Sequence, residues 1–154
     1  MATSLDFERS GVHRFAQSTP LLEELVAYVK ETSSNGRLRS KEPGVRSKLA
    51  QAFVELEVSK YIGFRTISLQ EHGQVPNREA SASKVFGTEL LQRVANIGME
   101  ILGLYGQIKR GSTSAVLQGR FEFLYLDSVF VTIGARSSEI NRNVIATRGL
   151  GLPR

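Results

Sequence analysis

An all-α fold is predicted for this chain: an up-down four-helix bundle with a short extra helix at the C-terminal end. Three observations carry that expectation. Apolar residues recur at helical spacing through most of the 154 residues. Strand-type alternation is scarce, and clusters of Gly, Pro, Ser and Asn divide the periodic stretches.

Phe15, Ser18, Leu22, Leu25, Val26 and Val29 form the first stripe. Pro20 falls inside it, so the first helix is expected to kink there or restart, because proline lacks the amide that would close the turn. Ser33-Ser34-Asn35-Gly36 stops it, and a polar loop continues to Pro43-Gly44. A second helix is expected from about Val45 to His72. Leu49, Ala52, Phe53, Leu56 and Ile67 cover one side of it, and Val54, Val58, Tyr61 and Ile62 widen the apolar surface. That width predicts a helix buried among several others. Gly73-Gln74-Val75-Pro76-Asn77 ends it.

A third helix follows from near Glu79 or Ala80 to Leu102, with Phe86, Leu90, Val94, Ile97 and Ile101 in line. Gly103 and Gly106 terminate it, and Lys109 to Ser114 make a short polar loop. The fourth stretch, about Ala115 to Ile133, holds Phe121, Phe123, Leu124, Leu126, Phe130 and Val131, a composition that also suits a strand. Gly134-Ala135-Arg136-Ser137 forms a turn, after which Ser137 or Ser138 caps a last short helix through Ile145. Helices two and three would each be roughly 35 Å long at ~1.5 Å per residue. Long helices joined by short loops pack antiparallel.

The composition narrows the function classes. The length suits one domain, residues 1–154, and the apolar fraction of 41% is too high for a disordered tail. No apolar run is long enough to span a bilayer, and the N-terminus lacks the pattern of a secretory signal, so a soluble cytoplasmic protein without membrane partners is expected. The absence of cysteine excludes disulfides, zinc-thiolate sites and cysteine nucleophiles. His13 and His72 are far apart in sequence and no acidic or histidine cluster has ligand spacing, so no metal site is expected. Twenty Lys and Arg against fifteen Asp and Glu leave a net charge of +5. Arg37, Arg39, Lys41, Arg46 and Lys48 cluster against Glu42 alone, but no aromatic side chain interleaves with them to stack on bases. The cluster therefore reads as a solvated loop entering a helix rather than a nucleic-acid surface, which would reveal itself by a steep salt-dependent affinity for duplex DNA.

Two stretches are more specific than any periodicity. Thr132-Ile133-Gly134-Ala135-Arg136-Ser137-Ser138-Glu139-Ile140-Asn141-Arg142-Asn143 leads to Arg148-Gly149-Leu150-Gly151-Leu152-Pro153-Arg154, and this end resembles the C-terminus of acyl-CoA dehydrogenases. Leu5-Asp6-Phe7-Glu8-Arg9-Ser10-Gly11 resembles the entry into that family's C-terminal helical domain. Val45 to Arg65 and Ala80 to Gly106, closing on Gly103-Leu104-Tyr105-Gly106, are similar to its second and third helices. The likeness covers essentially the whole chain and fits best the branch common in actinobacteria.

The resemblance implies α,β-dehydrogenation of an acyl-CoA thioester, with FAD as hydride acceptor, an electron-transfer flavoprotein as reoxidant and assembly into homo- or hetero-oligomers. It also implies that the family's N-terminal helical domain and middle β-domain lie outside residues 1–154. A weakly acidic α-proton needs a desolvated carboxylate as general base. In the family the base stands either in the turn before the last helix or at the start of the domain's first helix. The turn here carries Ala135; the other place carries Glu8, which matches the Leu-Asp-x-Glu-Arg pattern. Glu8 equally suits a helix's first turn paired with Arg9, a structural role.

Contacts to the FAD of a neighbouring subunit are implied for Glu100, Gly103 and Leu104 after helix three, and for Ser137 and Glu139 at the end. A glycine turn lets backbone approach a pyrophosphate, and helix N-terminal amides favour its charge. Glu100 stands where many members have glutamine, and Arg136 where they have glycine. The Arg-x-x-Phe-Gly motif after the first helix is replaced by the Ser34 to Pro43 loop. Arg142 is expected to pack or pair within the bundle. The other class of function open to such a chain is a non-catalytic helical module that contributes to an oligomer interface.

Overall fold

The computed structural model describes residues 12–34 and 36–153. Among the described residues, five α-helices carry the architecture: α1 (Val12–Glu31), α2 (Pro43–Glu71), α3 (Asn77–Leu102), α4 (Arg120–Ile133) and the short α5 (Ser138–Val144). Between α1 and α2, Ser33–Ser34 pairs antiparallel with Arg37–Leu38, so the expected polar loop contains a minimal hairpin. No described helix is long and apolar enough to cross a membrane.

Side-chain pairs fix how the helices run. Lys48 with Glu100, Glu55 with Arg93 and Arg65 with Glu79 cross from α2 to α3 in opposite order along the two helices, which makes them antiparallel. Lys84 reaching Thr132, with Gly98 against Phe121, does the same for α3 and α4. Arg120 of α4 pairs with Glu24 of α1 at 2.9 Å. The up-down order expected from the sequence is the one found.

The core consists of Leu21, Leu22, Leu25 and Val29 from α1, Leu49, Ala52 and Leu56 from α2, and Leu90, Leu91, Val94, Ile101 and Leu102 from α3. Phe121 of α4 closes it. α3 is the central helix, with fourteen residues buried on nearly every side. Such enclosure needs close helix approach. Gly98 provides it, since a Cβ there would overlap the Phe121 ring, which is fully buried.

Three details depart from the sequence expectation. α1 is continuous through Pro20 rather than restarting there; Pro20 and Ala16 both lie on its exposed side, where a carbonyl left without its amide partner can be hydrated. The fourth stretch is not one helix from Ala115. Leu117 and Gln118 have positive φ, Gly119 follows at +67°, and the chain reverses through this tight turn before α4 starts at Arg120. On α2, Val54, Val58 and Tyr61 stay exposed, so the broad apolar surface is covered on one side only by the described residues.

Candidate cofactor-facing site

The last turn of α3 and the first turn of α5 carry the residues implied in cofactor contact. α3 ends because Gly103 adopts φ +60°, a left-handed value that costs glycine nothing, while its N–H still bonds Met99 O. No atom lies within 4 Å of the position a Cβ would take at Gly103, so the backbone there is open to close approach. Leu104 beside it is 83% exposed. Glu100, one turn back, is exposed and ion-paired with Lys48 at the start of α2. That pair offsets the carboxylate charge which a glutamine would not carry.

At the other element, Ser137 rather than Ser138 caps α5: its Oγ accepts the Ile140 amide at 3.5 Å. α5 has only seven residues, and this amide is already satisfied within the chain. Glu139 is exposed. Its carboxyl lies below the usual carboxylate range because it is hydrogen-bonded by Ser137 and its own backbone, with Arg142 and Lys84 adding positive charge. Arg142 pairs within the bundle as expected, its Nη2 lying 2.8 and 2.9 Å from the two oxygens of Glu89. Asn96 of α3 lines both the depression holding Glu100, Gly103 and Leu104 and the one holding Ser138 and Glu139. Two stretches distant in sequence therefore flank one turn of the central helix.

A separate open cavity of about 540 Å³ lies between α1, α3 and α4. His13 and Gln17 border it from the start of α1, Leu91 from α3, Phe123 and Phe130 from α4, and Ala135 from the turn before α5. Glu8 lies outside the described residues, so its position is not part of this geometry. Asp127 also lines the cavity, a carboxylate that sequence reasoning passed over. A charged residue within the apolar fourth stretch was the available signal. Lys84 was missed too; it stands in register with Thr88, Leu91 and Ala95 on a buried line, where lysine is out of place. Among the described residues, no three His, Asp or Glu side chains stand together to hold a metal ion.

Comparison with known proteins gives these elements a context. Residues 1–150 match the family described as acyl-CoA dehydrogenase, C-terminal domain. Acyl-CoA dehydrogenase FadE26 of Mycobacterium tuberculosis is 31% identical over all of this chain and 40% of its own length. The solved Tcur3481-Tcur3483 steroid ACAD superposes with a TM-score of 0.88 at 31% identity, covering 99% of this chain and 38% of that one. In the ChsE4-ChsE5 complex from Mycobacterium tuberculosis the TM-score is 0.83 at 32% identity, over 91% and 36% of the two chains. This chain thus spans 36–40% of the length of these three relatives, and the matching part is the helical one. By the extent of that match and by the bundle it folds into, the chain belongs to the acyl-CoA dehydrogenase family, in its C-terminal domain.

Proposed function

We propose that this chain serves FAD-dependent α,β-dehydrogenation of an acyl-CoA thioester, as the C-terminal helical domain of an acyl-CoA dehydrogenase whose N-terminal and β-domains come from outside residues 1–154. One observation carries the reading most directly. The start of α1 and the turn before α5, the two places where the family bears its base, border the same cavity through His13, Gln17 and Ala135. Alanine stands at the second of them, and the Leu-Asp-x-Glu-Arg resemblance assigns the base to Glu8.

The chain's own residues then divide the work. Glu8 is assigned the α-proton, and the cavity walled by Leu91, Phe123 and Phe130 offers the low polarity that raises a general-base carboxylate toward the working pH. The residues at α3's end fit a dinucleotide: the open Gly103–Leu104 backbone admits a diphosphate, and Lys48 neutralises Glu100 beside it. Ser137, in the turn before α5, and Glu139, in the first turn of α5, meet the same cofactor. FAD, when bound, supplies the hydride acceptor. The partners proposed are acyl-CoA, further acyl-CoA dehydrogenase subunits in a homo- or hetero-oligomer, and an electron-transfer flavoprotein, in the cytoplasm. The steroid ACAD likeness supports a steroid side chain as the acyl group, with a fatty acid as the simpler choice.

A helical assembly module without catalysis is the second reading, and the exposed apolar face of α4 (Phe123, Leu126, Phe130, Ile133) is what speaks for it. Flavin absorbance separates the two: the enzyme reading expects a yellow assembly, the module a colourless oligomer. In an enzyme completed with the two other domains, Glu8→Gln is expected to abolish turnover with flavin retained, while Asp127→Asn keeps it. The reverse pattern moves the base to Asp127.

A further inference from the structure

We propose that Lys84 and Asn141 form a two-sided clamp that presets the 134–137 turn in its left-handed conformation, so that Ser137 and Glu139 meet the cofactor already in their binding geometry. The second half of that statement rests on the cofactor reading given above; the first does not.

Ala135 and Arg136 have φ +54° and +75°, two consecutive non-glycine residues in a region that L side chains disfavour. Neither side chain favours that backbone, so contacts outside the turn must hold it. Two fully buried polar side chains do. Lys84 of α3 is the largest fully buried side chain among the described residues, and its Nζ donates to Thr132 O at 2.5 Å. Thr132 lies in the last turn of α4, where carbonyls lack helical amide partners and the helix dipole is negative, so an ammonium is favoured there.

Asn141 of α5, also at 0% exposure, closes the other side. Its Nδ2 donates to both Arg136 O and Ser137 O at 3.0 Å. The carbonyls just before the turn and those within it are thus held from two different helices. A buried ammonium is expensive unless its geometry is used, and here its charge also reaches Glu139 on the far side of the turn. Under this assignment Lys84 and Asn141 are positioning residues; neither touches a reacting atom.

The test is amide hydrogen exchange on the flavin-free 154-residue chain, followed by FAD titration of the flavin-holding assembly. Lys84→Met and Asn141→Ala are each expected to speed exchange at the amides of residues 140 and 141 at least tenfold, with Leu25 and Leu56 unchanged. Asn141→Ala, on a seven-residue peripheral helix, keeps the comparison available if Lys84→Met does not fold. Wild-type exchange at 140 and 141, or equal acceleration at Leu25 and Leu56, overturns the clamp. If the turn opens, FAD affinity is expected to fall by a similar factor; unchanged affinity overturns the proposal. A wild-type assembly that holds no FAD, while its turn amides still respond to the substitutions, overturns the cofactor reading and with it the presentation of Ser137 and Glu139.

Discussion

α3 and α4 are both rich in apolar residues, yet they end in opposite environments. α3 is enclosed by α1, α2, α4 and α5, and even its Ser81, Ser83, Lys84 and Thr88 are buried. α4 buries Phe121 and Ser128, and leaves Phe123, Leu126, Val129, Phe130 and Ile133 exposed. The first helix is satisfied within the chain; the second keeps a hydrophobic side that no described residue covers. The enclosed helix serves the fold, while the open apolar side of α4 is the surface on which the proposed assembly would draw.

The largest effect is expected where the enclosed helix depends on close approach. Gly98→Ala places a methyl group inside the Phe121 ring and should cost more than about 3 kcal/mol, read as loss of a cooperative thermal transition. A normal melting curve would show that α3 and α4 can separate without penalty, which removes the contrast.

A smaller effect is expected at the entrance of α3. Burial pushes the Glu79 carboxyl up, but the Arg78 hydrogen bonds and the charges of Arg78 and Arg65 outweigh it and leave it below the ordinary range. Its contribution is therefore present above about pH 4.5 and is lost as pH falls through the lowered value. Glu79→Gln should remove about 1 kcal/mol at pH 7 and flatten the acid limb of stability against pH. An unchanged acid limb would place that sensitivity in other carboxylates.

The smallest effect on stability is expected on the open helix. Phe130→Ser should change unfolding free energy by less than about 0.5 kcal/mol, while shifting the sedimentation of any oligomer toward the monomer. A large stability loss instead would mean that this ring belongs to the fold.

Helix number, order and antiparallel packing were legible because each long helix repeats its apolar pattern several times. The residues that escaped did so for identifiable reasons. Periodicity on α2 does not say whether a neighbour comes from the same chain, so Val54, Val58 and Tyr61 were expected inside and lie outside. The reversal at 117–119 uses Leu117 and Gln118 at positive φ, a conformation their side chains disfavour and no pattern announces. Resemblance picked out Ser137 and Gly103, but the Lys84 and Asn141 contacts join helices far apart in sequence and exist only once the bundle has formed.

The connection between α2 and α3 has a kinetic consequence. Only residues 72–76 separate these two longest helices, so their mutual pairs close short loops near the turn and lengthen step by step away from it. Chains dominated by such local pairings fold rapidly. This helical hairpin is expected to zip first and to serve as the template on which α1, α4 and the tail then dock, with the turn before α5 among the last parts to settle.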